Sequence, residues 1–76
     1  MKLDIPKFRY LAQDFNGNVF SFVEMPYINE CAWYGANPFY FHDVQTEKNK
    51  NWQNTLIDLE TDDYEFEDGI LRRIER

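Results

Sequence analysis

The chain has 76 residues, a formal net charge of −6 and a pI near 4.5. That acidity argues against direct binding to nucleic acid, which rests on Lys and Arg neutralising phosphate, and favours basic protein partners. A single cysteine, Cys31, leaves no internal disulfide, and the sequence has neither an apolar leader nor a long apolar run, so a cytoplasmic protein with no membrane contact is expected.

Seventy-six residues make one small domain. A core of this size supplies no more than roughly 3–5 kcal/mol of net stability. The seven Phe, five Tyr and two Trp carry that core, because large rings bury the most area per residue. They also argue against disorder, despite the charge.

In chain order, residues 1–6 are a lead-in, and Pro6 cannot donate within a central strand. Lys7 to Met25 reads as a β-hairpin around Asp14-Phe15-Asn16-Gly17. A two-residue loop at Asn16-Gly17 would split the aromatic residues between the two faces. A three-residue loop, a type I turn closed by a left-handed glycine, uses Asp14 first and Gly17 fourth. It sets Tyr10 opposite Phe22, Ala12 opposite Phe20 and Phe8 opposite Glu24, with Arg9, Gln13 and Ser21 on the other side. Cross-strand aromatic pairs add up to about 1 kcal/mol each, which favours this register. Leu11, Val19 and Val23 make the second face apolar enough to require cover.

Pro26 to Pro38 lacks strand or helix periodicity and is expected to be a loop, folded back over the sheet by Ile28, Trp33 and Tyr34. Phe39 to Val44 reads as a third strand and Gln45 to Asn51 as a solvated polar loop. Trp52, Leu56 and Leu59 have helical spacing, while Thr55, Ile57 and Leu59 alternate; a helical turn passing into an extended segment fits both. At the end, Asp68-Gly69 signals a type I′ hairpin with Phe66 opposite Leu71 and Glu65 opposite Arg72. A helix capped by Asp68 is the competing reading. The fold expected is mainly antiparallel β, with four to five strands from two hairpins and a short helical element, or α+β if that element is longer.

No chemistry is spelled out by these residues. Nucleophilic catalysis would need Cys31 within reach of His42, and nothing local brings them together; Cys31 reads as a small buried residue and His42 as a half-exposed strand residue. One His and one Cys without ligand spacing make no zinc site. The acidic run lacks the glycine and spacing of a calcium loop, and no glycine-rich phosphate loop occurs. A non-enzymatic protein without metal or cofactor is expected.

Two features suggest binding. Tyr27, Trp33, Tyr34 and Tyr40 are candidates for an exposed aromatic patch that meets a protein partner. From Asp58 to Asp68, seven of eleven residues are acidic. On a strand, alternate carboxylates lie about 6.7 Å apart, so Asp62, Asp63, Glu65 and Glu67 could imitate a phosphate backbone and occupy a nucleic-acid-binding groove as a decoy. Arg72, Arg73 and Arg76 lie close enough in sequence to neutralise them. A third possibility is a homodimer formed through the second face of the first hairpin, around Val23.

The pattern RYLAQDFNGNVFSFVEMP followed by Trp52 and NTLIDL resembles small accessory proteins encoded by phages and prophages. Those chains share a strand, a D-x-x-G turn, an aromatic strand ending near proline and a W-x-x-S/T-L element. The matching residues are Tyr10, Asp14, Gly17, Phe20, Phe22, Pro26, Trp52, Thr55 and Leu56. The resemblance implies a protein made in the host cytoplasm that binds a host or phage protein. It brings no catalytic or binding residue with it.

Overall fold

The computed structural model describes residues 8–74; Pro6 and Arg76 lie outside the described residues. The chain is mainly antiparallel β, and among the described residues there are eight short strands in three sheets rather than the expected four or five. A four-stranded sheet has the order β5-β2-β1-β6, built from β1 (Tyr10–Gln13), β2 (Val19–Phe22), β5 (Phe39–His42) and β6 (Ile57–Asp58). Two hairpins accompany it: β3 (Tyr27–Asn29) with β4 (Ala32–Tyr34), and β7 (Asp63–Glu67) with β8 (Ile70–Ile74). The helical element is a single 3-10 turn, Trp52–Asn54, which leads into β6 as the mixed periodicity implies.

The first turn is the three-residue form. Gly17 has φ +97° and donates to Asp14 O at 2.9 Å, and Tyr10 pairs with Phe22 and Ala12 with Phe20. This register sorts the central sheet into two faces. One carries Tyr10, Ala12, Phe20 and Phe22 with Phe39 and Phe41 of β5, and it is closed by Trp33 and Trp52. The other carries Leu11, Gln13, Val19 and Ser21 with Tyr40 and His42. Phe8 leaves the aromatic face: the backbone bends at Arg9, and the Phe8 ring lies 6.2 Å from Tyr40.

The cover required by Leu11 and Val19 comes from the last hairpin. Tyr64, Phe66 and Leu71 join Leu11, Val19 and Ile57 in one buried cluster. Its turn is type I′, with Asp68 and Gly69 at φ 53° and 81°, and it sets Phe66 opposite Leu71 and Glu65 opposite Arg72. The apolar part of the second face is therefore occupied within the chain, while Val23 stays exposed.

A polar core locks the two hairpins together. The fully buried Gln13 donates from Nε2 to Gly17 O (2.8 Å) and Gly69 O (2.9 Å). Its Oε1 accepts from Leu71 N (2.9 Å) and Asn49 Nδ2 (2.8 Å). All four hydrogen-bonding positions of the amide are filled, as a buried polar group requires. Residues 45–51 are thus not simply a solvated loop: Asn49 is buried, and the Glu47 backbone passes between the two turn glycines. A Cβ on Gly17 would lie 2.5 Å from Glu47 O, and one on Gly69 would lie 2.7 Å from Glu47 N.

The stretch from Pro26 to Pro38 is a hairpin where a loop was expected. Its turn runs through Glu30, which takes φ 57° without being glycine, so no Asn-Gly pair marks it. Trp33 drives the packing. It is buried at 7 % exposure, sits edge-on to Trp52 at 6.4 Å, and donates from Nε1 to Trp52 O at 3.0 Å.

Candidate functional site

The β3–β4 hairpin stands beside the aromatic face of the central sheet, and an apolar cleft opens between them. Its volume is about 260 Å³, and Phe20, Phe22, Trp33, Tyr34 and Phe39 form its walls, with Asp14 among its lining residues. Phe20 lies 5.3 Å from Phe41 and 6.0 Å from Phe39, and Phe22 lies 6.3 Å from Phe39, so the rings form one continuous surface. The edge strand β5 keeps this surface open. Phe39, Tyr40 and Phe41 are 49 %, 45 % and 48 % exposed, with Phe39 and Phe41 on the cleft side and Tyr40 on the other.

Gly35 completes the cleft. A Cβ there would sit 2.5 Å from Phe22 Cδ1, so only glycine lets the backbone rest against that ring. Asp14 enters from the first turn. Its Oδ1 accepts from Trp33 N at 2.8 Å, which ties the turn to β4, and Phe15 N reaches Cys31 O at 3.4 Å beside it. Burial pushes the Asp14 carboxyl above its ordinary range, opposed by the Trp33 N–H.

Of the four rings expected in an exposed patch, Trp33 is a correction: it is core, because its indole closes the aromatic face against Trp52. Tyr27 and Tyr34 are exposed, paired across β3 and β4 and stacked at 6.3 Å. Tyr40 is exposed but faces away from the cleft, its ring 4.8 Å from His42. The residues that sequence reasoning missed are Phe39, Phe41 and Asp14. The alternation in FYF was the available signal, since an edge strand exposes rings on both of its faces.

Cys31 and His42 are both corrected. Cys31 lies exposed in the β3–β4 turn, and His42 is buried at 4 % exposure with Nε2 2.5 Å from Ser21 Oγ. The hydroxyl of Ser21 is itself fully buried, so no substrate reaches it in this arrangement. The pair satisfies polar atoms inside the sheet.

The acidic segment divides by structure. Asp58 accepts from Arg9 Nε (3.3 Å) and Nη2 (3.1 Å), and Glu60 lies 3.6 Å from the same guanidinium. Arg9 holds the Asp58 carboxyl below its usual range. Asp62 Oδ2 accepts from Asp58 N at 2.9 Å, which closes the turn into β7. Asp63, Glu65 and Glu67 fall on one face of β7, opposite to buried Tyr64 and Phe66, and Glu65 pairs with Arg72. The described residues contain no group of three or more His, Cys, Asp or Glu arranged to hold a metal ion.

Comparison of the chain with protein-family models, curated proteins and solved structures gives no match. The fold and cleft alone define its class: a small antiparallel β domain with an open aromatic surface.

Proposed function

We propose that the chain is a non-enzymatic accessory protein of phage or prophage type, which acts in the host cytoplasm by binding another protein. The observation that carries this reading is the continuous ring surface of Phe20, Phe39 and Phe41, with Phe39 and Phe41 half-exposed beside a cleft that Tyr34 also lines. Exposed contiguous aromatic surface is costly to keep and is the composition of interface centres. The phage setting is supported by the resemblance carried by Tyr10, Asp14, Gly17, Phe20, Phe22, Pro26, Trp52, Thr55 and Leu56.

The test is affinity capture from bacterial lysate by tagged wild type and by Tyr34→Ala/Phe39→Ala, washed at low and high salt. A partner retained at high salt by wild type and lost by the double variant is the expected result. A partner captured equally by both would overturn the role of the aromatic surface.

A decoy reading has one observation in its favour, the shared outward face of Asp63, Glu65 and Glu67 on β7. Arg72 sits opposite the middle of that row, which makes it a poorer phosphate mimic. Capture that disappears in high salt and on Glu65→Gln/Glu67→Gln would shift the assignment there.

A further inference from the structure

Resting on the reading of this surface as a protein-binding site, we infer that the cleft receives a lysine side chain of the partner. The lysine stem lies along Phe20, Phe22 and Phe39, and its ammonium meets the carboxylate of Asp14.

Asp14 Oδ1 ties the first turn to β4 through Trp33 N–H, and its second oxygen has no hydrogen bond among the described residues. Asp14 is 7 % exposed among aromatic walls, and among the described residues no cation pairs with it. A carboxylate with one hydrogen bond and no counter-charge in apolar surroundings is costly, and an occupant that brings a positive charge lowers that cost. Ring faces attract the same cation through their quadrupoles, and the charge of −6 draws basic partners.

The geometry separates lysine from arginine. Asp14 Oδ1 is held by Trp33 N–H, so the carboxylate has a single oxygen to offer. A planar guanidinium gains most from two parallel bonds, whereas an ammonium is a point charge that needs one. A flexible alkyl stem also suits a narrow apolar wall with a charge at its end. Tyr34 and Phe39, both exposed, form the lip over which such a side chain enters.

The experiment titrates two capped tripeptides, Ac-Gly-Lys-Gly-NH2 and its Nε-acetyl-lysine counterpart, into isotope-labelled full chain and follows the amides of Trp33, Tyr34 and Gly35. Acetylation removes the charge and keeps the stem. Saturable shifts with the lysine peptide, weakened at least about tenfold by acetylation, are expected, since charge-assisted hydrogen bonds are worth that much or more. Asp14→Asn retains the acceptor for Trp33 N–H and should weaken the lysine peptide to the level of the acetylated one. Phe39→Ala, which leaves the turn untouched, should weaken both peptides. Equal binding of the two peptides to wild type, or no saturable shift with either, would overturn the lysine assignment. The aromatic-surface reading would then still stand or fall on lysate capture by the Tyr34→Ala/Phe39→Ala variant.

Discussion

Gln13 and Asn49 share a hydrogen bond of 2.8 Å, from Asn49 Nδ2 to Gln13 Oε1, at the buried polar junction where the first and last hairpins meet. Asn49 also donates to Leu71 O at 3.1 Å, so the two amides together bind both turns and the loop between them. Gln13→Leu keeps the volume and strands the Gly17 carbonyl, the Leu71 N–H and one donor of Asn49, while Gly69 O keeps only its bond from Glu47 N. Each stranded buried group costs about 1–3 kcal/mol. The total approaches the whole stability of a domain this size, about 3–5 kcal/mol. Urea denaturation should find Gln13→Leu largely unfolded in buffer, with Asn49→Ala folded and weaker by about 1–3 kcal/mol. A cooperative, near-wild-type transition for Gln13→Leu would refute the central role of this amide.

Gly17 packs against the Glu47 carbonyl and Gly69 against the preceding Thr46–Glu47 peptide, and both have positive φ. Alanine at either position adds left-handed strain of about 1–2 kcal/mol and forces the Glu47 backbone aside. Because both substitutions displace the backbone of one residue, Glu47, their effects should not add. A double-mutant cycle by thermal unfolding measures this; strict additivity would mean that the loop accommodates each change separately.

Asp14 and Asp58 should titrate on opposite sides of the ordinary aspartate value of 3.8. Asp58 is lowered chiefly by its hydrogen bonds from Arg9, so its stabilising contribution is complete above 3.8 and is lost as pH falls through the folded value. Asp14 is raised by burial, so the folded state holds its proton more tightly and stability declines as pH rises from 3.8 through the folded value. Carboxyl carbon NMR reads both midpoints. Arg9→Gln should move Asp58 upward and leave Asp14 in place; coincident midpoints in wild type would contradict both environments.

Cys31, exposed in the β3–β4 turn, should react with a maleimide without prior unfolding. Mass spectrometry under native conditions checks it. Modification only after denaturant is added would mean the turn is covered.

Much of the fold was legible because its turns announce themselves. Asp14 and Gly17 specified a bulged turn and with it the register of Tyr10 on Phe22, and Asp68-Gly69 specified the last hairpin. The unfulfilled apolar positions Leu11 and Val19 correctly demanded a cover. The β3–β4 hairpin was hidden because its three-residue strands are too short to show alternation and its turn rests on Glu30 rather than glycine. Gln13 and Asn49 were hidden for another reason. A polar residue reads as surface unless its partners are known, and Gln13's partners Gly69 and Leu71 lie 56 and 58 positions away. The site was half legible: excess rings pointed to an open patch, but the edge position of β5, which exposes Phe39 and Phe41, comes from topology.

Those same separations bear on synthesis. While the chain grows on a ribosome, β1 and β2 can pair early, yet Leu11 and Val19 remain bare and the Gln13 amide only half satisfied until residues 64–71 emerge. The nascent segment must therefore wait, wet and unlatched, for β7 and β8. Completion of the fold is a late, all-at-once event, and truncation before Leu71 should leave a chain that chaperones or proteases treat as unfinished.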